Sequence, residues 1–271
     1  MIEKWPGSTP AWCPGCGDLA ILKALDKAID AAGIERTNLV LVSGIGQAAK
    51  LPHYVKANVF NGLHGRALPA ATGIKLANHK LDVVITSGDG DMYGEGGNHL
   101  LHAMRRNIGV KVFVHNNQVY GLTKGQASPT SDIGFVTKIQ THGVVNPPLN
   151  PLAMAIVQDC SLVARTFAGD LEHMGAMMLA ALTHRDGFAL VDILQPCVSF
   201  NKRNTYQWYR ERVKRIEDSH DPFDRGKALE LAFRWGDEIP IGIIYRSDRG
   251  SFESKLPVLK AGPLVEQLRT G

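Results

Sequence analysis

The chain has 271 residues, of which 44% are hydrophobic and 21% are charged. A chain of this length can bury a complete hydrophobic core, and this composition excludes an intrinsically disordered protein. The formal charge of +4 comes from 30 basic and 26 acidic residues scattered along the sequence, so it predicts no nucleic-acid or anionic-membrane surface. No apolar run has membrane-spanning length and no signal core follows Met1, which favours a cytoplasmic protein.

Short apolar runs alternate with longer amphipathic stretches up to about residue 195. The runs are rich in β-branched residues and predict strands at Asn38–Ser43, Leu81–Ser87, Val110–Asn116, Ser161–Phe167 and Phe188–Leu194. The stretches carry apolar residues at helical spacing and predict helices at Asp18–Ala32, Ala67–Asn78, Gly96–Arg106, Leu152–Asp159 and Leu171–His184. Because nearly continuous apolar strands are buried on both faces, we predict an α/β fold with a doubly wound parallel sheet.

The pattern changes after Pro196. Lys202–Arg215 mixes aromatic and basic residues, which is more typical of a solvated or subunit-facing helix than of a nucleic-acid site, and Arg225–Trp235 predicts a helix. We therefore expect residues 1–200 to form an α/β domain with an N-terminal Cys-x-x-Cys loop. Residues 201–271 are expected to form an extension that packs on this domain or on a partner subunit.

Four cysteines are too few for a disulfide framework in a chain of this size. Two of them lie in Cys13-Pro14-Gly15-Cys16-Gly17, a spacing that lets both thiolates face one metal centre. Cys160 directly precedes a predicted strand and is expected to be a small buried hydrophobic residue.

Polar turns follow two of the predicted strands. Gly88-Asp89-Gly90-Asp91 comes directly after one strand, and Asn116-Asn117 ends the next strand along the chain. Either turn alone is common, but the carboxyl ends of parallel strands are where ligands bind, so the two turns can converge on one ligand. Asp89 and Asn117 offer oxygen ligands suited to Mg²⁺, and the glycines let a phosphate approach the backbone. The pair predicts a magnesium–diphosphate site.

Gly-Asp-Gly followed at this distance by Asn-Asn resembles the thiamine diphosphate signature. Further segments are similar to the β subunit of 2-oxoacid:ferredoxin oxidoreductases, a family that includes enzymes for 2-oxoglutarate and for pyruvate. These segments are Trp12–Gly17 (WCPGCG), Val42–Gly46 (VSGIG), Leu63–Ala67 (LHGRA), Ala71–Asn78 (ATGIKLAN), Tyr120–Thr130 (YGLTKGQASPT) and Gln195–Cys197 (QPC). The resemblance implies the thiamine diphosphate-binding fold.

The resemblance also implies roles for individual residues. It assigns Mg²⁺ to Asp89, Asn117 and the carbonyl of Val119. It places Lys50 toward the substrate carboxylate. His64 either contacts the cofactor or only makes polar contacts within its own loop. The other residues that it places at the cofactor are Ile45, Gly46, Gln47, Gly88, Gly90, Asp91, Gly121, Leu122 and Thr123.

The activity implied by the resemblance is CoA-dependent oxidative decarboxylation of a 2-oxoacid, either 2-oxoglutarate or pyruvate, to an acyl-CoA and CO₂. Electrons pass one at a time through a [4Fe–4S] cluster to ferredoxin. Thiamine diphosphate needs a second domain that gives a carboxylate to its aminopyrimidine ring, and this chain is too short to contain one. We therefore expect an α subunit as an obligate partner.

The sequence departs from the family at position 47. Members carry a cysteine after Gly-Ile-Gly that ligates the cluster, whereas this chain has Gln47, a poor ligand for iron. A cluster held by Cys13, Cys16 and Cys197, with a fourth ligand that is not cysteine, is the expected arrangement. A three-iron or oxygen-labile form, or no cluster, are the other outcomes.

Two alternatives remain open from the residues themselves. A non-oxidative thiamine diphosphate decarboxylase or acetolactate-type subunit would share the magnesium site and need no iron. A zinc-stapled interaction module would use Cys13, Cys16 and Cys197 for a structural tetrahedral metal. Metal analysis separates the three possibilities.

Overall fold

The computed structural model describes residues 9–216 and 218–268. The strands in chain order are β1 Leu39–Ser43, β2 Asn58–Asn61, β3 Asp82–Gly88, β4 Lys111–Asn116, β5 Val119–Tyr120, β6 Gln126–Ala127, β7 Leu162–Phe167, β8 Ala189–Leu194, β9 Val213–Arg215 and β10 Ile239–Arg246. Eight of them form one sheet in the order β2-β1-β3-β4-β8-β7-β10-β9, and β5 pairs with β6 in a separate hairpin.

Helices cover both faces of this sheet. They are α1 Gly17–Ala31, α2 Ala67–Ala77, α3 Gly97–Arg106, α4 Pro151–Val157, α5 Leu171–Thr183, α6 Tyr206–Arg212, α7 Arg225–Phe233 and α8 Leu264–Gln267. Alternate residues of β1 point into different cores: Val40 and Val42 pack in one cluster, whereas Leu39 and Leu41 pack in the other. The predicted doubly wound architecture is confirmed. The strands and helices predicted up to residue 195 and the helix predicted at Arg225–Trp235 are present with their ends moved by at most two residues. The helix expected within Lys202–Arg215 is shorter and covers Tyr206–Arg212.

The sheet is not wholly parallel. The pairings among β1, β2, β3, β4, β7 and β8 are parallel, but β10 runs antiparallel to β7. The five predicted strands are parallel to one another, and the sheet extends beyond them with an antiparallel strand, as is common in large doubly wound sheets. Part of the expected extension thus continues the central sheet as β9 and β10.

Two smaller features bear on the sequence predictions. Cys160 is fully buried, which confirms it as a core residue. In the part of the chain that the structure describes, no helix combines the length and the apolar character needed to cross a lipid bilayer.

Candidate active site

Four loops meet at the carboxyl edge of the sheet, one after each of β1, β2, β3 and β4. They surround a cavity of about 70 Å³. Its lining contains every residue that the resemblance placed at the cofactor: Ile45, Gly46, Gln47, His64, Gly88, Asp89, Gly90, Asp91, Asn117, Val119, Gly121, Leu122 and Thr123. Ala48 and Tyr120 complete the wall. The sheet brings these residues together because β2, β1, β3 and β4 are consecutive neighbours with the same direction.

Asp89 follows β3 at the base of the cavity and is almost completely buried. Its Oδ2 accepts hydrogen bonds from the hydroxyls of Ser128 and Thr130, the latter at 2.7 Å. Burial raises the pKa of this carboxyl to about 6, although both hydroxyls act in the opposite direction. Asp89 is therefore a buried carboxylate whose charge lacks a cationic partner in the lining, which is the state expected of a metal ligand.

Asp91 holds two loops to the end of β3. Its Oδ1 accepts the backbone N–H groups of Gly65 at 2.7 Å and Ile45 at 3.2 Å, and its Oδ2 accepts the Ser87 hydroxyl at 2.5 Å. A Cβ on Gly44 would overlap the Asp91 carboxylate, so only glycine fits there. Asp91 is thus a structural anchor that shapes the cavity.

His64 lies between two carboxylates at the rim. Its Nδ1 is 2.8 Å from Asp91 Oδ1 and 3.5 Å from Glu95 Oε2, within ion-pair distance, although the geometry is not that of a hydrogen bond. The Tyr120 hydroxyl donates to Glu95 at 3.2 Å. Glu95 ends a π-helical turn, Gly90–Glu95, of the kind often found at functional sites.

The loop after β4 is braced by residues that the sequence analysis did not single out. Gln118 has a positive φ of 59°, its Nε2 donates to the Thr130 carbonyl at 2.7 Å, and its Oε1 accepts the Tyr209 hydroxyl at 2.9 Å. Asn201 Nδ2 donates to the Asn117 carbonyl at 3.2 Å. The segment after residue 200 therefore fixes Asn117, and no local motif signals these long-range contacts.

The charge of the cavity indicates what it can hold. Asp89 and Asp91 are both in its lining, and no lysine or arginine is. An anionic phosphate would be repelled by the two carboxylates, and a divalent cation bound by oxygen ligands removes this repulsion. The residues present therefore fit Mg²⁺ with a diphosphate.

Lys50 is not brought to this cavity. It lies in the 3₁₀ helix Ala48–Tyr54, half-buried, and is not part of the lining. Its role toward a substrate remains a prediction.

The Cys-x-x-Cys loop forms a second locus beside the cavity. The Cys16 N–H donates to the Cys13 carbonyl at 3.0 Å, which closes the turn. Ser199 Oγ donates to Cys13 Sγ at 3.0 Å, and Gln195 Nε2 donates to Cys16 Sγ at 3.4 Å. Hydrogen bonds to sulfur are a feature of thiolate metal sites.

The thiols of this locus are close enough to interact electrostatically. Burial raises the pKa of Cys16 well above its ordinary value, and the charges of Asp18 and Cys197 add to the shift. Over residues 9–216 and 218–268, however, no three His, Cys, Asp or Glu side chains converge as the ligands of one metal ion. The three cysteines are neighbours whose thiols do not meet at one point.

Gln47 connects the two loci. It lines the cavity, and its carbonyl accepts the indole N–H of Trp12, the residue before Cys13, at 3.0 Å. Its Oε1 is buried and lacks a hydrogen-bond partner among the described residues. Gln47 therefore offers an unused oxygen next to the cysteine loop.

Comparisons with known proteins decide the family. Residues 41–193 match the family model described as thiamine pyrophosphate enzyme, C-terminal TPP binding domain, and residues 197–261 match the model of the C-terminal part of the pyruvate ferredoxin oxidoreductase beta subunit. The chain is 43% identical over 250 residues to the 2-oxoacid:ferredoxin oxidoreductase subunit beta of Saccharolobus solfataricus, covering 88% of this chain and 82% of the relative. The chain belongs to the 2-oxoacid:ferredoxin oxidoreductase β-subunit family.

Other relatives of this β subunit agree. The 2-oxoglutarate oxidoreductase subunit KorB of Mycobacterium tuberculosis is 45% identical over 190 residues, which cover 70% of this chain and 51% of that protein. A solved 2-oxoglutarate:ferredoxin oxidoreductase from Magnetococcus marinus, with 2-oxoglutarate, coenzyme A and succinyl-CoA bound, is 35% identical with a TM-score of 0.91, over 98% of this chain and 90% of that chain. The β subunit thus carries a thiamine diphosphate-binding domain of an oxidoreductase, and neither alternative drawn from the residues is favoured.

Proposed function

We propose that this β subunit, together with an α subunit, oxidises a 2-oxoacid with CoA to an acyl-CoA and CO₂ and passes the two electrons released to ferredoxin. The cofactors are thiamine diphosphate, Mg²⁺ and an iron–sulfur cluster. The observation that carries the proposal is the cavity at the carboxyl ends of the strands, whose lining brings together the carboxylates of Asp89 and Asp91 and the amide of Asn117. The buried Asp89 carboxylate has no lysine or arginine partner in this lining. Such a lining suits a metal diphosphate.

Asp89, Asn117 and the carbonyl of Val119 would hold Mg²⁺. Asn117 Oδ1 accepts the Val119 N–H at 3.1 Å, so this turn keeps amide and carbonyl oxygens on one short loop. The two hydroxyls on Asp89 Oδ2 fix the carboxylate in place. One carboxylate and two neutral oxygens leave room for phosphate oxygens and water in an octahedral Mg²⁺ shell.

Bound thiamine diphosphate would supply the nucleophilic carbon and the electron sink needed for decarboxylation. The chain positions it: Asp91 holds the backbone around Ile45 and Gly65, and Gly90 lets Tyr120 pack close, since a Cβ there would overlap the tyrosine ring. His64, at the rim, is suited to contact the cofactor. Lys50 would hold the substrate carboxylate, a role that needs a cation.

An α subunit would complete the site. The cavity of about 70 Å³ is far smaller than the roughly 300 Å³ of an ordinary small-molecule pocket, as expected of a site that another chain completes. Apolar side chains near the cavity are exposed, with Leu63 76%, Phe60 46% and Ile45 39% accessible. An apolar patch beside an incomplete site is typical of a subunit interface.

The iron–sulfur cluster would be held by Cys13, Cys16 and Cys197, and it would supply one-electron chemistry. The shared locus, the hydrogen bonds to two sulfurs and the unused Gln47 oxygen support this assignment. A [4Fe–4S] cluster on three thiolates leaves one iron for a ligand that is not cysteine.

The test is anaerobic purification of the α–β complex, iron and sulfide quantification, and assays with 2-oxoglutarate and pyruvate in the presence and absence of CoA and ferredoxin. We expect CoA-dependent ferredoxin reduction with one of these acids, and 2-oxoglutarate is the first choice because the relatives from Mycobacterium tuberculosis and Magnetococcus marinus are named for it. Cys16→Ala should lose iron, whereas Cys160→Ala, a buried cysteine with no role at the locus, should keep it. Equal iron in both variants, or turnover without CoA, would contradict the proposal.

A further inference from the structure

A second cavity lies behind the loop that follows β4. It has a volume of about 220 Å³ and shares no lining residue with the cofactor cavity. Its walls come from β7, β8, the start of α4, the end of α7, and the end of β4 with the loop that follows it. The residues that matter here are Arg165 and Asp192 on the strands, Leu149 and Phe233 on the opposite wall, and Trp235.

Arg165 is the unusual member of this cavity. Its side chain is 3% exposed, and its Nε and Nη1 atoms are buried without a hydrogen-bond partner among the residues that the structure describes. Asp192 compensates the charge from 3.7 Å, too far for a hydrogen bond. Asp192 Oδ1 is already used, because it accepts from Tyr93 at 2.9 Å and from Asn116 at 3.1 Å. Buried charged donors normally find an acceptor, so these two point to a missing one.

The other residues of the cavity indicate what kind of molecule would carry that acceptor. The guanidinium carbon of Arg165 lies 5.7 Å from the centre of the Trp235 ring, and Leu149, Ala232 and Phe233 add apolar surface. Phe233 is 66% exposed, so the apolar wall reaches solvent and offers an entry. A ligand here needs oxygen atoms at one end and a short hydrocarbon body at the other.

We propose that this cavity binds a short-chain aliphatic carboxylate, with its oxygens on Arg165 and its hydrocarbon chain against Phe233 and Leu149. The volume of about 220 Å³ is below that of ordinary drug-sized pockets, which restricts the ligand to a few carbon atoms. The ligand is distinct from the reacting 2-oxoacid, since the cofactor cavity lies elsewhere.

A chain of polar contacts links this cavity to the proposed magnesium ligand. Asp192 contacts Asn116, Asn116 Oδ1 lies 2.9 Å from Thr130 Oγ1, and Thr130 Oγ1 lies 2.7 Å from Asp89 Oδ2. A carboxylate on Arg165 changes the charge environment of Asp192 at one end of this chain. Carboxylate binding should therefore alter Mg²⁺ affinity, and Mg²⁺ should alter carboxylate affinity by the same factor. The coupling to Mg²⁺ rests on the proposed function, whereas the binding of the carboxylate does not.

The binding test titrates the purified α–β complex with sodium butyrate by calorimetry, with 1-butanol as the matched molecule that lacks a carboxylate. We expect butyrate to bind and butanol not to bind. The double variant Arg165→Met/Asp192→Asn removes both charges together and should weaken butyrate binding by about tenfold or more, because it removes charge-assisted hydrogen bonds. No binding, or equal binding by the wild type and the double variant, would overturn the site.

Phe233→Ser keeps the proposal testable if the double variant fails to fold, since Phe233 is on the surface. It should weaken butyrate binding several-fold without changing thiamine diphosphate affinity, and unchanged butyrate binding would overturn the assigned apolar wall.

The coupling is measured as the Mg²⁺ dissociation constant with and without saturating butyrate. A Mg²⁺ dissociation constant that butyrate does not change would refute the coupling but not the butyrate site. A complex that binds butyrate but oxidises no 2-oxoacid would refute the proposed function alone.

Discussion

Replacing Asp89 with asparagine should have opposite effects on the metal-free protein and on Mg²⁺ binding. The substitution removes the charge with little change of shape, and the amide oxygen can accept from the Ser128 and Thr130 hydroxyls as the carboxylate does. Because the carboxylate is buried without a cation in the cavity lining, its charge costs stability until a metal ion neutralises it. Replacement of an aspartate with a purely structural role would instead destabilise the protein.

The stability change follows from the pKa. Burial raises the pKa of Asp89 from 3.8 to about 6, so the folded protein binds this proton more tightly than the unfolded chain. Stability contributed by this group is present below about pH 4 and is lost as pH rises to about 6. Two pKa units correspond to about 3 kcal/mol, so near neutral pH the metal-free Asp89→Asn protein should be more stable by at most about 3 kcal/mol. The difference should vanish below about pH 4.

The effect of Asp89→Asn on the free energy of Mg²⁺ binding is unfavourable and at least as large as the gain in stability of the metal-free protein. Removing one partner of a buried charge pair costs about 3–5 kcal/mol, which corresponds to a loss in Mg²⁺ affinity of roughly 150-fold to 5,000-fold. Calorimetric titration of the α–β complex with Mg²⁺ and thiamine diphosphate measures this loss, and thermal unfolding of the EDTA-treated complex measures stability. Asp132→Asn is the matched control, because Asp132 is a buried aspartate of the neighbouring loop outside the cofactor cavity. Unchanged Mg²⁺ affinity, or a destabilised metal-free Asp89→Asn protein, would refute the assignment.

Three further substitutions test other parts of the site. Gly44→Ala drives a Cβ into the Asp91 carboxylate and should reduce thiamine diphosphate affinity measured by calorimetry, whereas Gly73→Ala, which meets no atom within 4 Å, should not. Lys50→Ala should lower kcat/KM for the 2-oxoacid more than it lowers cofactor affinity. An unchanged kcat/KM would show that Lys50 is only a surface cation and does not hold the substrate. Gln47→Cys should add a thiolate to the cluster and lower its reduction potential in an electron paramagnetic resonance titration, and an unmoved potential would place residue 47 away from the iron.

The central strands and the cavity could be predicted from the sequence because strong local signals agree with the tertiary arrangement. All five residues of β1 are buried, as its nearly continuous apolar character indicates. Parallel neighbours end at the same edge, so placing Asp89 and Asn117 after adjacent strands was enough to bring them together. Local pattern and topology gave the same answer here.

Other features depend on contacts that no local pattern encodes. β10 contains Pro240 and Gly242, both of which weaken a strand pattern, and its antiparallel direction is set by pairing with β7. The hydroxyl of Thr130 reaches Asp89 across 41 positions of sequence. Which hydroxyl serves the carboxylate is decided by how the loop after β6 folds back, and this conformation is a tertiary property.

The position of β10 has a consequence for synthesis of the chain on the ribosome. β7 is complete at Phe167, but the strand that covers its free edge begins only at Ile239. At ordinary translation rates the intervening residues take roughly 4–14 seconds to appear, and during that time β7 offers unpaired backbone groups to other nascent chains. A chain that stops before Ile239 would retain every residue of the cofactor cavity and still leave this edge open. Loss of the C-terminal strands should therefore appear first as aggregation of newly made protein, before any defect in cofactor chemistry can be observed.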